Sequence, residues 1–139
     1  MPSQQRSLAR HTILQVEDSQ ANALLVEQLI SRRDNLRLLR AVNGDQGIEM
    51  ANSHKPDLIL MDMKLPGISG IDALIMLRND PATALIPIIA LSSNAFPSEI
   101  KKCLDAGCFR YLTKPFILED LMDAIDAALQ YATQNSPPR

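Results

Sequence analysis

Acids, a hydroxyl and an amine stand just beyond strand-like apolar runs in this sequence. Glu17 and Asp18 follow the run at 12–16 (TILQV), and Asp62 follows the run at 57–61 (DLILM). Ser92 follows 86–91, and Lys114 follows 109–113. Taken singly, each has an ordinary reading: a helix cap for an acid, a loop position for Ser92. Brought together they are equipment for phosphoryl transfer, with a carboxylate nucleophile, a metal site, a fixed cation and a hydroxyl donor. Three carboxylates at close range repel one another, so all stay ionised only with a cation among them. Oxygen donors with open positions suit Mg²⁺.

The elements between these residues must then deliver them to one place. Residues 21–29 carry Ala21, Leu24, Leu25 and Leu29 at helical spacing, with Asp18 or Ser19 as the cap. Asp34-Asn35 marks a turn before a strand at 36–41, and Asn43-Gly44 breaks it ahead of a helix at 46–53. Pro66, Gly67 and Gly70 make 64–70 a loop, and a helix at 71–78 stops at Asn79-Asp80-Pro81. A helix at 98–106 has Gly107 at its left-handed cap position. The last helix presents Leu118, Leu121, Met122, Ile125, Ala128 and Leu129 on one stripe.

Five strand–helix pairs in alternation imply parallel strands, right-handed crossovers and helices on both faces: a doubly wound α/β sandwich. Ligands of such sheets bind beyond the carboxyl ends of the strands. The second strand delivers only Asn43 to that edge, consistent with a place away from the site. The expected organisation is a flexible segment at 1–10, one domain at 11–132 and a frayed, proline-containing tail at 133–139.

Composition narrows the class. The chain has 139 residues, enough for one core-bearing domain, and aromatics are only 4%, so the core must be aliphatic. A formal charge of -2 leaves no basic footprint for nucleic acid and no polybasic stretch for a membrane. Arg32, Arg33, Arg37 and Arg40 cluster, but acids and apolar residues interleave them, so they read as a solvated edge. Cys103 and Cys108 are too few for a disulfide framework or metal knuckle and read as ordinary reduced thiols. No apolar run reaches the ~18 residues of a membrane span, and a cytoplasmic protein is expected. His11 and His54 read as solvated histidines. Met50, Met61, Met63, Met76 and Met122 read as packing residues, and Asp57 as a loop residue at the wrong end of the sheet.

The stretches ILQVED, DLILMDMKLPGISG, PIIALSSNA and YLTKPF, at these spacings, resemble the receiver domains of bacterial two-component systems. The likeness spans about 12 to 129. It implies a flavodoxin-like sheet of order 2-1-3-4-5, with Asp62 phosphorylated from a phosphohistidine on a sensor histidine kinase or a histidine phosphotransfer domain. It implies Mg²⁺ held by Glu17, Asp18, Asp62 and the backbone carbonyl of Lys64. Ser92 and Lys114 would bind phosphoryl oxygens, Tyr111 would be the aromatic switch, and Lys114-Pro115 would be cis. Output would be a change in protein contacts at the face of the fourth helix, fifth strand and fifth helix, with a homodimer as one option.

Some positions depart from the commoner family pattern. Glu17-Asp18 stands where Asp-Asp is frequent, which implies a water between Glu17 and the metal. Ser93 stands where Ala or Gly is more usual. With Lys64 and Asn94 it flanks the route of a hydrolytic water, and the three are expected to tune dephosphorylation. Two rival readings exist. A haloacid-dehalogenase-type phosphatase would need a second acid two residues after its nucleophile, where Lys64 stands. A degenerate receiver would lack site residues, and all are present. A signalling module, free-standing or part of a hybrid kinase, is the expectation, and not an enzyme.

Overall fold

The structure is a computed structural model that describes residues 10–135. Ten elements alternate along the chain: β1 (His11–Val16), α1 (Gln20–Ile30), β2 (Leu36–Ala41), α2 (Gly44–His54) and β3 (Leu58–Asp62) come first. They are followed by α3 (Gly70–Asn79), β4 (Ile88–Ser92), α4 (Pro97–Ala106), β5 (Arg110–Thr113) and α5 (Leu118–Gln134). The strands form one parallel sheet of order β2-β1-β3-β4-β5, the expected doubly wound arrangement with β2 at an edge.

Every residue of β3 and β4 is buried, because helices cover both faces of these central strands. On one face Ile13, Leu58, Leu60, Ile89 and Leu91 meet Val26 and Ile30 of α1 and Leu121, Ile125 and Ala128 of α5. On the other, Leu14, Val16, Ile59, Met61 and Ile88 meet Ala51 of α2, Leu74 and Leu77 of α3, and Cys103 of α4. The side-chain period of two thus divides one sheet between two aliphatic cores.

Local chemistry sets the helix ends. Ser19 and Ser69 cap α1 and α3, their hydroxyls accepting the N–H of Asn22 and Asp72. Asn43 caps α2 by accepting the Gln46 N–H at 2.8 Å, while the Gln46 side chain accepts from the Val42 N–H at 2.7 Å. Sequence boundaries hold to within a residue or two for most elements. The fifth helix differs: it runs to Gln134, two residues into the stretch expected to fray, with the Thr133 hydroxyl donating to the Leu129 carbonyl at 3.0 Å. The rest of that tail from 136, and the first nine residues of the segment expected to be flexible, lie outside the described residues.

Candidate functional site

Register brings the strand-end residues together. Val16 lies opposite Met61, Asp62 opposite Leu91, and Ser92 opposite Thr113. Glu17, Asp62, Ser92 and Lys114 therefore leave the sheet at nearly one level. The ladder continues past the strands through Glu17 N–H to the Ala41 carbonyl, Met63 N–H to the Leu91 carbonyl, and Lys114 N–H to the Ser92 carbonyl. The backbone that carries Glu17, Met63 and Lys114 is thus tied to the neighbouring strand ends.

Oxygens of Glu17, Asp18 and Asp62 lie within 4.8 Å of one another. Glu17 and Asp62 are only 3% and 5% exposed, whereas Asp18 is open to solvent. Lys114 Nζ sits 3.4 Å from Asp62 Oδ2 and 3.5 Å from Glu17 Oε1. The Lys64 N–H donates to Asp62 Oδ1 at 2.9 Å, so backbone holds one oxygen of this carboxylate while the other faces the ammonium. The Ser19 N–H donates to Glu17 Oε2 at 3.1 Å. The cleft around them, about 500 Å³, is also bounded by Asn22, Leu65, Pro66 and Ser93.

Electrostatics follow from this crowding. At ~5 Å and an effective dielectric of ~20, two carboxylates repel by roughly 3–4 kcal/mol. Glu17 is pushed up to about 7, first by burial and next by a side-chain hydrogen bond with Asp62; the Ser19 N–H and Lys114 act in the opposite direction. One lysine thus leaves the three acids short of positive charge. Their hard, clustered oxygens on a partly open cleft fit a divalent cation.

A second set of contacts ties Ser92 to Tyr111. The Ser92 Oγ accepts the Asn94 N–H at 3.0 Å, and the Tyr111 hydroxyl donates to the Asn94 carbonyl at 2.6 Å. Asn94 Oδ1 also accepts the Phe96 N–H, which leads into α4. Ser93 is exposed at the rim of the acidic cleft, with Lys64 on the same cleft. The Lys114-Pro115 peptide is cis, as the resemblance implied.

Glu17, Asp18, Asp62, Lys64, Ser92, Ser93, Asn94 and Lys114 therefore gather at one edge of the sheet, and Tyr111, inside β5 opposite Ala90, joins them through its bond to the Asn94 carbonyl. Two contributors were missed. Arg40, read as part of a solvated edge, donates from Nε and Nη2 to the Glu17 carbonyl at 3.2 and 3.0 Å. Its place one residue before the end of β2 was the available signal. Gly70 is the other: a Cβ there would stand 2.5 Å from the Asp62 carbonyl oxygen and 2.6 Å from Met63 Cα. Residues set aside do lie elsewhere. Asp57 precedes β3 at the far edge, where Oδ2 accepts the Thr12 N–H at 2.7 Å and lies 3.9 Å from His11 Nδ1. His54 pairs locally, with the Ser53 hydroxyl.

Comparison with known proteins agrees with this geometry. Residues 13–126 match the family model for the response regulator receiver domain. The polar-differentiation response regulator DivK of Brucella anthropi is 31% identical over 118 residues, covering 85% of this chain and 95% of the relative. The receiver domain of sensor histidine kinase PA1611 from Pseudomonas aeruginosa was solved with a magnesium ion coordinated in its active site cleft. It superposes with a TM-score of 0.80 at 32% identity, over 88% of this chain and 99% of that one. The chemotaxis protein CheY4 of Vibrio cholerae shares the fold, with a TM-score of 0.80 at 22% identity, over 87% of this chain and 100% of that one.

Proposed function

The chain belongs to the response regulator receiver family of two-component signalling, and from that membership we propose that Asp62 is its phosphoacceptor. The observation that carries this is the Asp62 side chain: nearly buried, fixed at Oδ1 by the Lys64 N–H, and facing Lys114 Nζ 3.4 Å from Oδ2. A carboxylate held in one orientation beside a fixed cation is prepared for attack on phosphorus.

The donor is a phosphohistidine of a partner sensor histidine kinase or histidine phosphotransfer domain. An Asp62 carboxylate oxygen forms the new O–P bond as the P–N bond to the imidazole breaks, and the imidazole leaves with the electron pair. Glu17, Asp18, Asp62 and the Lys64 carbonyl are the residues that would hold Mg²⁺, which when bound offsets the charge of the acids and of the phosphoryl oxygens. Lys114 can exchange its carboxylate partners for a phosphoryl oxygen. The Ser92 hydroxyl, which accepts from Asn94, keeps its own proton to donate to another.

The switch runs through the Asn94 backbone, which joins the Ser92 hydroxyl at its N–H to the Tyr111 hydroxyl at its carbonyl. A pull on Ser92 shifts Asn94 and loosens or redirects Tyr111, carrying the change to the α4–β5–α5 face. Phe96 and Leu104 stand exposed on and beside α4 for a downstream protein or a second copy. Moving a minor state from 1:99 to 99:1 needs ~5.5 kcal/mol, within reach of a few charge-assisted hydrogen bonds of ~1.5–3 kcal/mol each. Lys64, Ser93 and Asn94 border the approach to Asp62 and set the lifetime of the acyl phosphate. The domain acts in the cytoplasm, where such kinases hold ATP; no helix among the described residues is long and apolar enough to cross a membrane.

Incubation with Mg²⁺ and acetyl phosphate, read by intact mass, tests the assignment. One phosphoryl group adds about 80 Da, and Asp62→Asn abolishes the gain. A variant that still gains the mass, or a wild-type chain that gains none, contradicts it.

A further inference from the structure

The C-terminus of α4 pairs two cysteines. Gly107 ends the helix at φ 114, the Gly107 N–H reaches the Leu104 carbonyl at 3.0 Å, and the Cys108 N–H reaches the Cys103 carbonyl at 3.2 Å. This double closure is a Schellman motif, whose geometry brings the side chains of its first and sixth residues into contact. Those residues are usually apolar; here both are cysteines, free and buried in the same core cluster.

Neighbours hold the pair in place. Arg78 reaches from α3 to donate from Nε to the Gly107 carbonyl at 3.0 Å, and from Nη1 to the Ala84 and Ile86 carbonyls at 3.1 and 2.7 Å. Cys103 Sγ donates to Met63 Sδ at 3.8 Å. Three sulfurs thus run from the end of α4 to the residue after Asp62. Cys103, although only 2% exposed, lines a cavity of about 410 Å³ shared with Ser92, Asn94 and Tyr111, the side from which a small oxidant would approach it.

We propose that Cys103 and Cys108 form a peroxide-oxidisable dithiol that closes to an intrachain disulfide across the end of α4. The Cys103 thiolate attacks one peroxide oxygen: the S–O bond forms, the O–O bond breaks, and two electrons pass from sulfur to peroxide. The departing hydroxide takes up a proton and leaves as water. Cys108 sulfur then attacks the Cys103 sulfenic acid. The S–S bond forms, the S–O bond breaks, and the hydroxyl leaves as a second water with the Cys108 proton. The roles follow the local asymmetry. The neighbouring Cys108 draws the Cys103 thiol below its ordinary value, while Cys103 and burial push the Cys108 thiol up. Closing the disulfide removes the S–H that Cys103 gives to Met63, so the oxidation is sensed one residue from Asp62.

The test is peptide mapping of the full chain. Trypsin cuts after Lys102 and Arg110, so residues 103–110 (CLDAGCFR) leave as one peptide with both cysteines and no methionine. Brief treatment of the folded protein with hydrogen peroxide, followed by alkylation in denaturant, should leave this peptide about 2 Da lighter and unalkylated, reversibly with dithiothreitol. In Cys108→Ser the same treatment should give a dimedone adduct on Cys103, and in Cys103→Ser the peptide should stay alkylatable. Two alkylated thiols after peroxide, a disulfide between chains, or equal dimedone labelling at Cys108 in Cys103→Ser would each overturn the proposal. The readout is a peptide mass that is independent of phosphorylation.

Discussion

Lys114 holds the residue-scale balance of the site, since its one ammonium serves both Glu17 and Asp62. Lys114→Met keeps the stem but removes that charge. Phosphorylation by acetyl phosphate should slow by about 10²-fold, as for other single fixed donors of transition-state charge; an unchanged rate in a stopped time course would refute its role. Glu17 gives a pH signature. Its folded value of about 7 lies above the ordinary 4.5, so the folded state binds the proton more tightly than the unfolded chain does. In EDTA, this contribution to stability is complete below about 4.5 and is lost as pH rises through about 7. Denaturation midpoints of wild type, compared with Glu17→Gln, should therefore fall across that window, and parallel curves would dismiss the effect. Asp62, Ser92 and Lys114 were legible because each ends an apolar run. Arg40 was not, because its charge pointed to solvent while its geometry delivered it to the Glu17 carbonyl.

Among the elements, the tightest constraint is where α3 leaves the β3–α3 loop. Gly70 begins α3 against the Asp62 carbonyl and Met63, so the helix can approach the strand end only without a Cβ. Gly70→Ala should push α3 away or distort the turn that carries Asp62, costing about 1–3 kcal/mol in urea unfolding. It should also slow phosphorylation, whereas a neutral result would mean the loop has slack. The sequence placed Gly70 in a loop and began the helix one residue later, because glycine is a weak helix former and its role here is clearance. The end of α5 escaped for a related reason. Polar Thr133 and Gln134 suggested a frayed tail, yet Thr133 secures the last turn through its bond to the Leu129 carbonyl. The Cys103–Cys108 pairing was hidden too: Gly107 marked the cap, but only the closed motif brings the residues at its first and sixth positions together.

For the molecule as a whole, alternation of short apolar runs with helical stripes was enough to read a parallel sheet with two covered faces. It did not order the strands; β2-β1-β3-β4-β5 was expected from family resemblance and is set physically by which apolar faces α1/α5 and α2/α3/α4 cover. That order places β1, β3 and β4 side by side, so three loops from separate parts of the chain share the acidic cleft, with the β5 loop supplying the lysine. The most direct test of this arrangement is a crystal structure grown with Mg²⁺ and beryllofluoride. The expected result is the mimic bonded to an Asp62 carboxylate oxygen, with Lys114 Nζ and Ser92 Oγ on its fluorines and Mg²⁺ against Glu17 and Asp18. Density for the mimic on another residue, or Lys114 turned away from an occupied Asp62, would contradict the account.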